Sequence, residues 1–167
     1  MALNLKFDHF YKYDEIQAYL EQAAHDYPAL CALGTIGKSY EGRDIPFLTI
    51  TNTATGAAAD KPAMYIEANI HGNEIQGGEV CLYTIWYLME NYGRVDDVTR
   101  LVDERVFYIV PTVNPDGRQF FMEGPGGNAR SGHVPVDDDN DGAFDEDPPE
   151  DINGNGIVEQ IRMRVPG

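Results

Sequence analysis

An apolar run at residues 63–70, centred on Met64-Tyr65-Ile66, stops at His71-Gly72-Asn73-Glu74, and a long apolar helix pattern takes over at 74–92. A second apolar run, Val106-Phe107-Tyr108-Ile109-Val110, follows and ends at Pro111. Strand, helix and strand in this order predict a crossover unit in a mixed sheet, and so an α/β chain. The four residues at the turn carry potential chemistry. Open α/β sheets place ligands beyond the strand ends. There an imidazole and a carboxylate three residues apart can converge on one cation, with Gly72 allowing the tight turn between them. On the four letters alone, a helix-capping Glu74 beside an incidental histidine is the simpler reading.

The chain before this unit reads as a helix and a hairpin. Residues 14–27 place Ile16, Tyr19, Leu20, Ala23 and Ala24 on one face, with Asp14 as the expected N-cap and Pro28 as the stop. Strands are predicted at 30–36 and 45–52. The polar stretch from Gly37 to Asp44 between them makes an antiparallel pair the expected arrangement. From residue 123 onward Gly, Pro, Asn and Asp dominate and periodicity is lost, which predicts loop or insertion.

Charge excludes some partners. A net charge of −16 argues against nucleic acid and anionic membranes. No stretch approaches the roughly 20 apolar residues of a membrane helix. The N-terminus has no apolar run like that of a secretory signal. Localisation stays open between the cytoplasm and secretion with a signal already removed. Cys31 and Cys81 lie far apart in unlike contexts and read as buried thiols, not a disulfide.

The acidity is concentrated. Residues 137–159 hold ten acidic residues and no Lys or Arg, while the remaining 18 acidic and 12 basic residues balance to −6. Residues 137–150 and 151–164 align as two 14-residue units. Asp137, Asp139, Asp141 and Asp145 in the first match Asp151, Asn153, Asn155 and Glu159 in the second, and Gly142 matches Gly156. Alternating oxygen side chains followed by glycine form the first half of a calcium loop. Position 12 is Pro148 or Arg162, so neither unit is an EF-hand. Calcium loops and a solvated acidic loop both remain open.

Three stretches occur in a telling order: Gly37-Lys38-Ser39-Tyr40-Glu41-Gly42-Arg43, then Ile70-His71-Gly72-Asn73-Glu74, then Val113-Asn114-Pro115-Asp116-Gly117. Through them the sequence resembles the zinc carboxypeptidases, the metallocarboxypeptidase family, over residues 7–117. The resemblance implies a mixed, twisted sheet flanked by helices. It also implies a zinc-dependent hydrolase that cleaves C-terminal peptide bonds of a peptide substrate, with His71 and Glu74 as the first two zinc ligands. Carboxypeptidase A holds zinc by two histidines and a glutamate, with water in the fourth position. Asn114-Pro115-Asp116-Gly117 matches a family turn and is expected to be a tight turn without chemistry. Arg130 lies where the family places an oxyanion-stabilising arginine, although a solvated loop arginine fits equally.

The resemblance also exposes gaps. After Glu74 the only histidine is His133, too close to be the family's third ligand. The Asn-Arg pair that grips the substrate carboxylate and the glutamate base are not found. The expectation is therefore the N-terminal portion of one peptidase catalytic domain, incomplete at its C-terminus and inactive alone, with an acidic insertion at 137–164. A sheet short of strands would favour self-association. Two other functions stay open. One is an amidohydrolase for N-acyl amino acids or cell-wall peptides using the same ligand pair, and the other is a calcium-stabilised binding module without catalysis.

Overall fold

The computed structural model describes residues 3–123, 130, 134–137, 140–142, 144, 151 and 154–155. Its helix α1 (Tyr13–Asp26) begins one residue ahead of the expected Asp14 cap. The Lys12 amide donates to Glu15 Oε2 at 2.8 Å and so closes the N-terminus. Ile16, Tyr19, Leu20 and Ala23 are buried as the helical spacing predicts.

Strands β1 (Cys31–Lys38) and β2 (Asp44–Ile50) form the expected antiparallel pair, in register from Cys31 opposite Ile50 to Thr35 opposite Pro46. Gly34 is required here: a Cβ would stand 2.6 Å from the Phe47 ring. Strand β3 (Ala63–Glu67) is followed by α2 (Gln76–Asn91), α3 (Asp96–Glu104) and β4 (Val106–Val110). β3 and β4 are parallel neighbours, as a crossover requires, and β4 pairs antiparallel with β2. The sheet order is β1-β2-β4-β3, a mixed sheet.

Leu48 and Ile50 of β2, with Phe107 and Ile109 of β4, face one cluster with residues of α1, α2 and α3. That cluster includes Leu20, Leu82, Ile85 and Val102, all fully buried. Alternate residues point to opposite faces of a strand, so Phe47 and Tyr108 meet on the other side with ring centroids 6.3 Å apart. Cys31 and Cys81 are free and buried, and burial pushes their thiols up to about 12 and about 11 respectively. Among the described residues no helix is long and apolar enough to cross a membrane.

Two helices differ from the sequence expectation. α3 has no counterpart in the sequence expectation, although Val98 and Val102 lie four apart behind Asp96 and Asp97. The expected tight turn at 114–117 is instead the start of α4 (Pro115–Glu123). Asn114 Oδ1 accepts from the Gly117 amide at 2.9 Å, and Pro115 fills the first helical position, where a missing N–H costs nothing.

Candidate metal centre

β3 ends earlier than its apolar run because Asn69 adopts a left-handed φ of 56°. That reversal carries Ile70 out of the strand and starts the loop leading to α2. The α2 helix begins at Gln76, so Glu74 belongs to the loop and does not cap the helix. A turn closes where the Glu74 amide donates to the His71 carbonyl at 3.1 Å. This turn brings the two side chains together, with His71 Nδ1 3.0 Å from Glu74 Oε2.

The separation suits a shared cation. Zinc–nitrogen and zinc–oxygen bonds of about 2.0–2.2 Å at tetrahedral angles put two donors roughly 3.4 Å apart. A small opening of the observed pair would admit the ion. Both side chains remain partly exposed, leaving an approach for further donors and water. Among the described residues no group of three or more His, Cys, Asp and Glu converges, so the structure supplies a pair and not a full ligand set.

Arg130 lies at the same place. Its carbonyl accepts from the Gly72 amide at 3.0 Å, and its Nη1 stands 3.3 Å from Glu74 Oε1. The structure thus brings His71, Glu74 and Arg130 into one constellation, with Arg130 on the carboxylate oxygen that His71 does not use.

Behind the loop is a buried polar network that sequence reasoning missed. Asn69 Nδ2 donates to the carbonyls of His71 at 2.7 Å and Gly72 at 3.2 Å. Asn69 Oδ1 accepts from Arg118 Nη1 at 3.1 Å and from the Thr112 hydroxyl at 3.3 Å. The Arg118 side chain is fully buried, and burial lowers the guanidinium pKa while Glu79 partly offsets it. Gly78 makes room for it: a Cβ there would lie 2.8 Å from Arg118 Nη1 and 3.0 Å from the Pro111 carbonyl. The adjacent glycines 77 and 78, in an otherwise apolar helix, were the available sequence signal of this close approach.

A second network joins the β1–β2 loop to α4. Asp116 accepts from the Ser39 hydroxyl at 2.8 Å, the Glu41 amide at 3.0 Å and Arg43 Nη1 at 2.7 Å. Burial raises its pKa, but those donors outweigh burial and hold the carboxyl below its usual 3.8.

In the acidic segment, Asp137 Oδ1 accepts from the Asp141 amide at 3.1 Å and Oδ2 from Gly142 at 3.0 Å. Asp151 Oδ1 accepts from Gly154 at 2.7 Å and Asn155 at 3.2 Å. Asp139, Asp145, Asn153 and Glu159, the other oxygen donors expected there, lie outside the described residues, as does His133.

The family profile described as zinc carboxypeptidase matches residues 16–147. The chain belongs to the zinc carboxypeptidase family. It is 35% identical to carboxypeptidase D of Drosophila melanogaster over 119 residues, which cover 71% of this chain and 8% of that protein. It is 36% identical to carboxypeptidase B of Astacus astacus, over 65% of this chain and 33% of that one. Carboxypeptidase A from Helicoverpa armigera superposes with a TM-score of 0.64 at 31% identity, covering 72% of this chain and 28% of the other. The chain therefore spans a third or less of these relatives' length. Membership of this family implies zinc.

Proposed function

We propose that this chain carries the first two zinc donors, His71 and Glu74, of a metallocarboxypeptidase that removes C-terminal residues from peptides. The observation that carries the proposal is the 3.0 Å approach of His71 Nδ1 to Glu74 Oε2 at the carboxyl end of β3. Zinc bound there would supply Lewis acidity at the scissile carbonyl. His71 and Glu74 would hold the ion through one neutral nitrogen and one anionic oxygen. Arg130 Nη1 pairs with Glu74 Oε1 at 3.3 Å. The Arg130 guanidinium is the positive charge that would stabilise a carbonyl oxygen on which negative charge develops. The chain's share of the chemistry is thus to gather ligands and to place one positive charge.

Zinc titration by calorimetry tests the donor assignment, comparing the native chain with His71→Ala and Glu74→Gln. Both variants should lose most of the heat of binding, and equal isotherms would contradict the proposal. Two donors do not make a catalytic site, so residues 1–167 alone should release no C-terminal residues from peptides. Zinc-dependent release by them would place the remaining donor and base within residues 124–167.

The acidic repeat supports a finer reading as two calcium loops. In each unit the first aspartate accepts from backbone amides three to five residues on, at the position where a calcium loop places its first oxygen ligand.

A further inference from the structure

The loop bearing His71 and Glu74 is held in part by its backbone, Glu74 N–H to the His71 carbonyl and Gly72 N–H to the Arg130 carbonyl, and by Asn114 Nδ2 on the Ile70 carbonyl. It lies between the end of β3 and the start of α2, and α2 opens at Ile75 without a side-chain cap. Its carbonyls at His71 and Gly72 both point to one side chain, Asn69. Asn69 sits at a left-handed φ that asparagine tolerates better than most residues. It is itself fixed from the other side by Arg118 and Thr112.

Arg118 is well suited to be that fixed point. A guanidinium has five N–H donors in a rigid fork. Here Nε and Nη2 donate to the Tyr11 carbonyl, Nη2 also to Glu79, and Nη1 to Asn69 Oδ1 and the Ile75 carbonyl. All five donors are used, and the group ties the N-terminal segment, α2, α4 and the ligand loop to one point. Burying a charge is tolerated only when it is paired and hydrogen-bonded in this way.

We propose that Asn69, anchored by the buried Arg118, is a positioning residue that holds the His71–Glu74 loop in its metal-gathering shape. This rests on the reading of His71 and Glu74 as zinc donors. Asn69 does not touch the ion; it acts through the two carbonyls it restrains, as residues behind metal ligands commonly do.

Asn69→Asp separates positioning from folding. The aspartate keeps an acceptor for Arg118 and Thr112 but loses both donors to the loop. Its added negative charge would by itself tighten binding of a dication, so weaker binding reports a changed loop and not a changed charge. Asn69→Gly removes the side chain while tolerating the positive φ. Zinc titration of the chain should show about tenfold weaker binding in both variants, the lower end for losing a supporting hydrogen-bond partner. Asn69→Asp should stay folded, with a metal-free melting temperature a few degrees lower because the His71 and Gly72 carbonyls lose their donor. If Asn69→Gly does not fold, Asn69→Asp decides the matter. Native zinc affinity in a folded Asn69→Asp would overturn the proposal. If His71→Ala also binds zinc as the native chain does, the donor assignment itself fails and the positioning role with it. Loss in His71→Ala but not in Asn69→Asp would overturn positioning alone.

Discussion

The Arg43 guanidinium donates to the Asp116 carboxylate at 2.7 Å across 73 residues of sequence, and Asp116 is almost wholly buried while Arg43 is not. This pair joins the β1–β2 loop to the first turn of α4. Because the folded carboxyl is held below 3.8, its contribution is present above the unfolded pKa and is lost as pH falls through the folded one. Asp116→Asn should cost about 2–3 kcal/mol at pH 7, the range for losing a charged hydrogen-bond acceptor. The gap from the native chain should begin to shrink below roughly pH 4, where the unfolded carboxyl takes up its proton, and close only below the lower pKa of the folded one. Urea unfolding at a series of pH values checks this, and a gap constant from pH 7 to pH 3 would contradict it.

Gly78→Ala sets two effects against each other. Alanine favours an α-helix over glycine by about 1 kcal/mol. The new Cβ would sit 3.0 Å from the Pro111 carbonyl and 2.8 Å from Arg118 Nη1, and neither neighbour can withdraw cheaply. Overpacking of this kind costs about 1–3 kcal/mol, so the clash should win and destabilise the chain by about 1 kcal/mol. A higher urea midpoint for Gly78→Ala would show that the surroundings relax more easily than this packing implies.

These networks mark the boundary of what the sequence makes legible. The β3–β4 crossover and the β1–β2 pair follow from apolar runs and a glycine-bearing turn, which are local signals. His71 and Glu74 are also legible, because three residues across one turn suffice to bring them together. Arg118 is not, since its partners Tyr11, Asn69 and Glu79 lie 107, 49 and 39 residues away and no local pattern announces a buried arginine. The α4 start is misread for a different reason. Asn-Pro-Asp-Gly has the composition of a turn, yet Asn114 and Pro115 also suit the cap and first position of a helix. α4 also packs against α1, a tertiary contact that no local pattern announces.

Arg130→Ala should barely change stability, by at most about 0.5 kcal/mol, because both partners of its pair with Glu74 are exposed. Its effect on zinc should have the opposite sign to that of a ligand mutation. A guanidinium on Glu74 competes with the dication, so its removal should tighten zinc binding about two- to threefold in dilute salt, a modest Coulombic term in high dielectric. Calorimetric titration distinguishes the outcomes, and weaker binding would make Arg130 part of the ligand support.

Calcium should protect residues 137–159 from proteolysis, because ten carboxylates in this segment repel one another without a cation. Asp139→Asn with Asp141→Asn should weaken protection more than changes to Asn153 and Asn155, since the first unit carries more ligand charge. Limited proteolysis with calcium and with chelator reads this directly. Identical cleavage patterns would leave a solvated acidic loop.

The most direct test of the account is zinc-edge X-ray absorption on the zinc-loaded chain, which reports the ion's ligands directly. The geometry predicts an imidazole shell with zinc–nitrogen at about 2.0–2.1 Å. His71→Ala should abolish that shell, while His133→Ala should leave it intact. An unchanged spectrum in His71→Ala would show that zinc binds elsewhere and that the His71–Glu74 pair is only an ion pair on a loop.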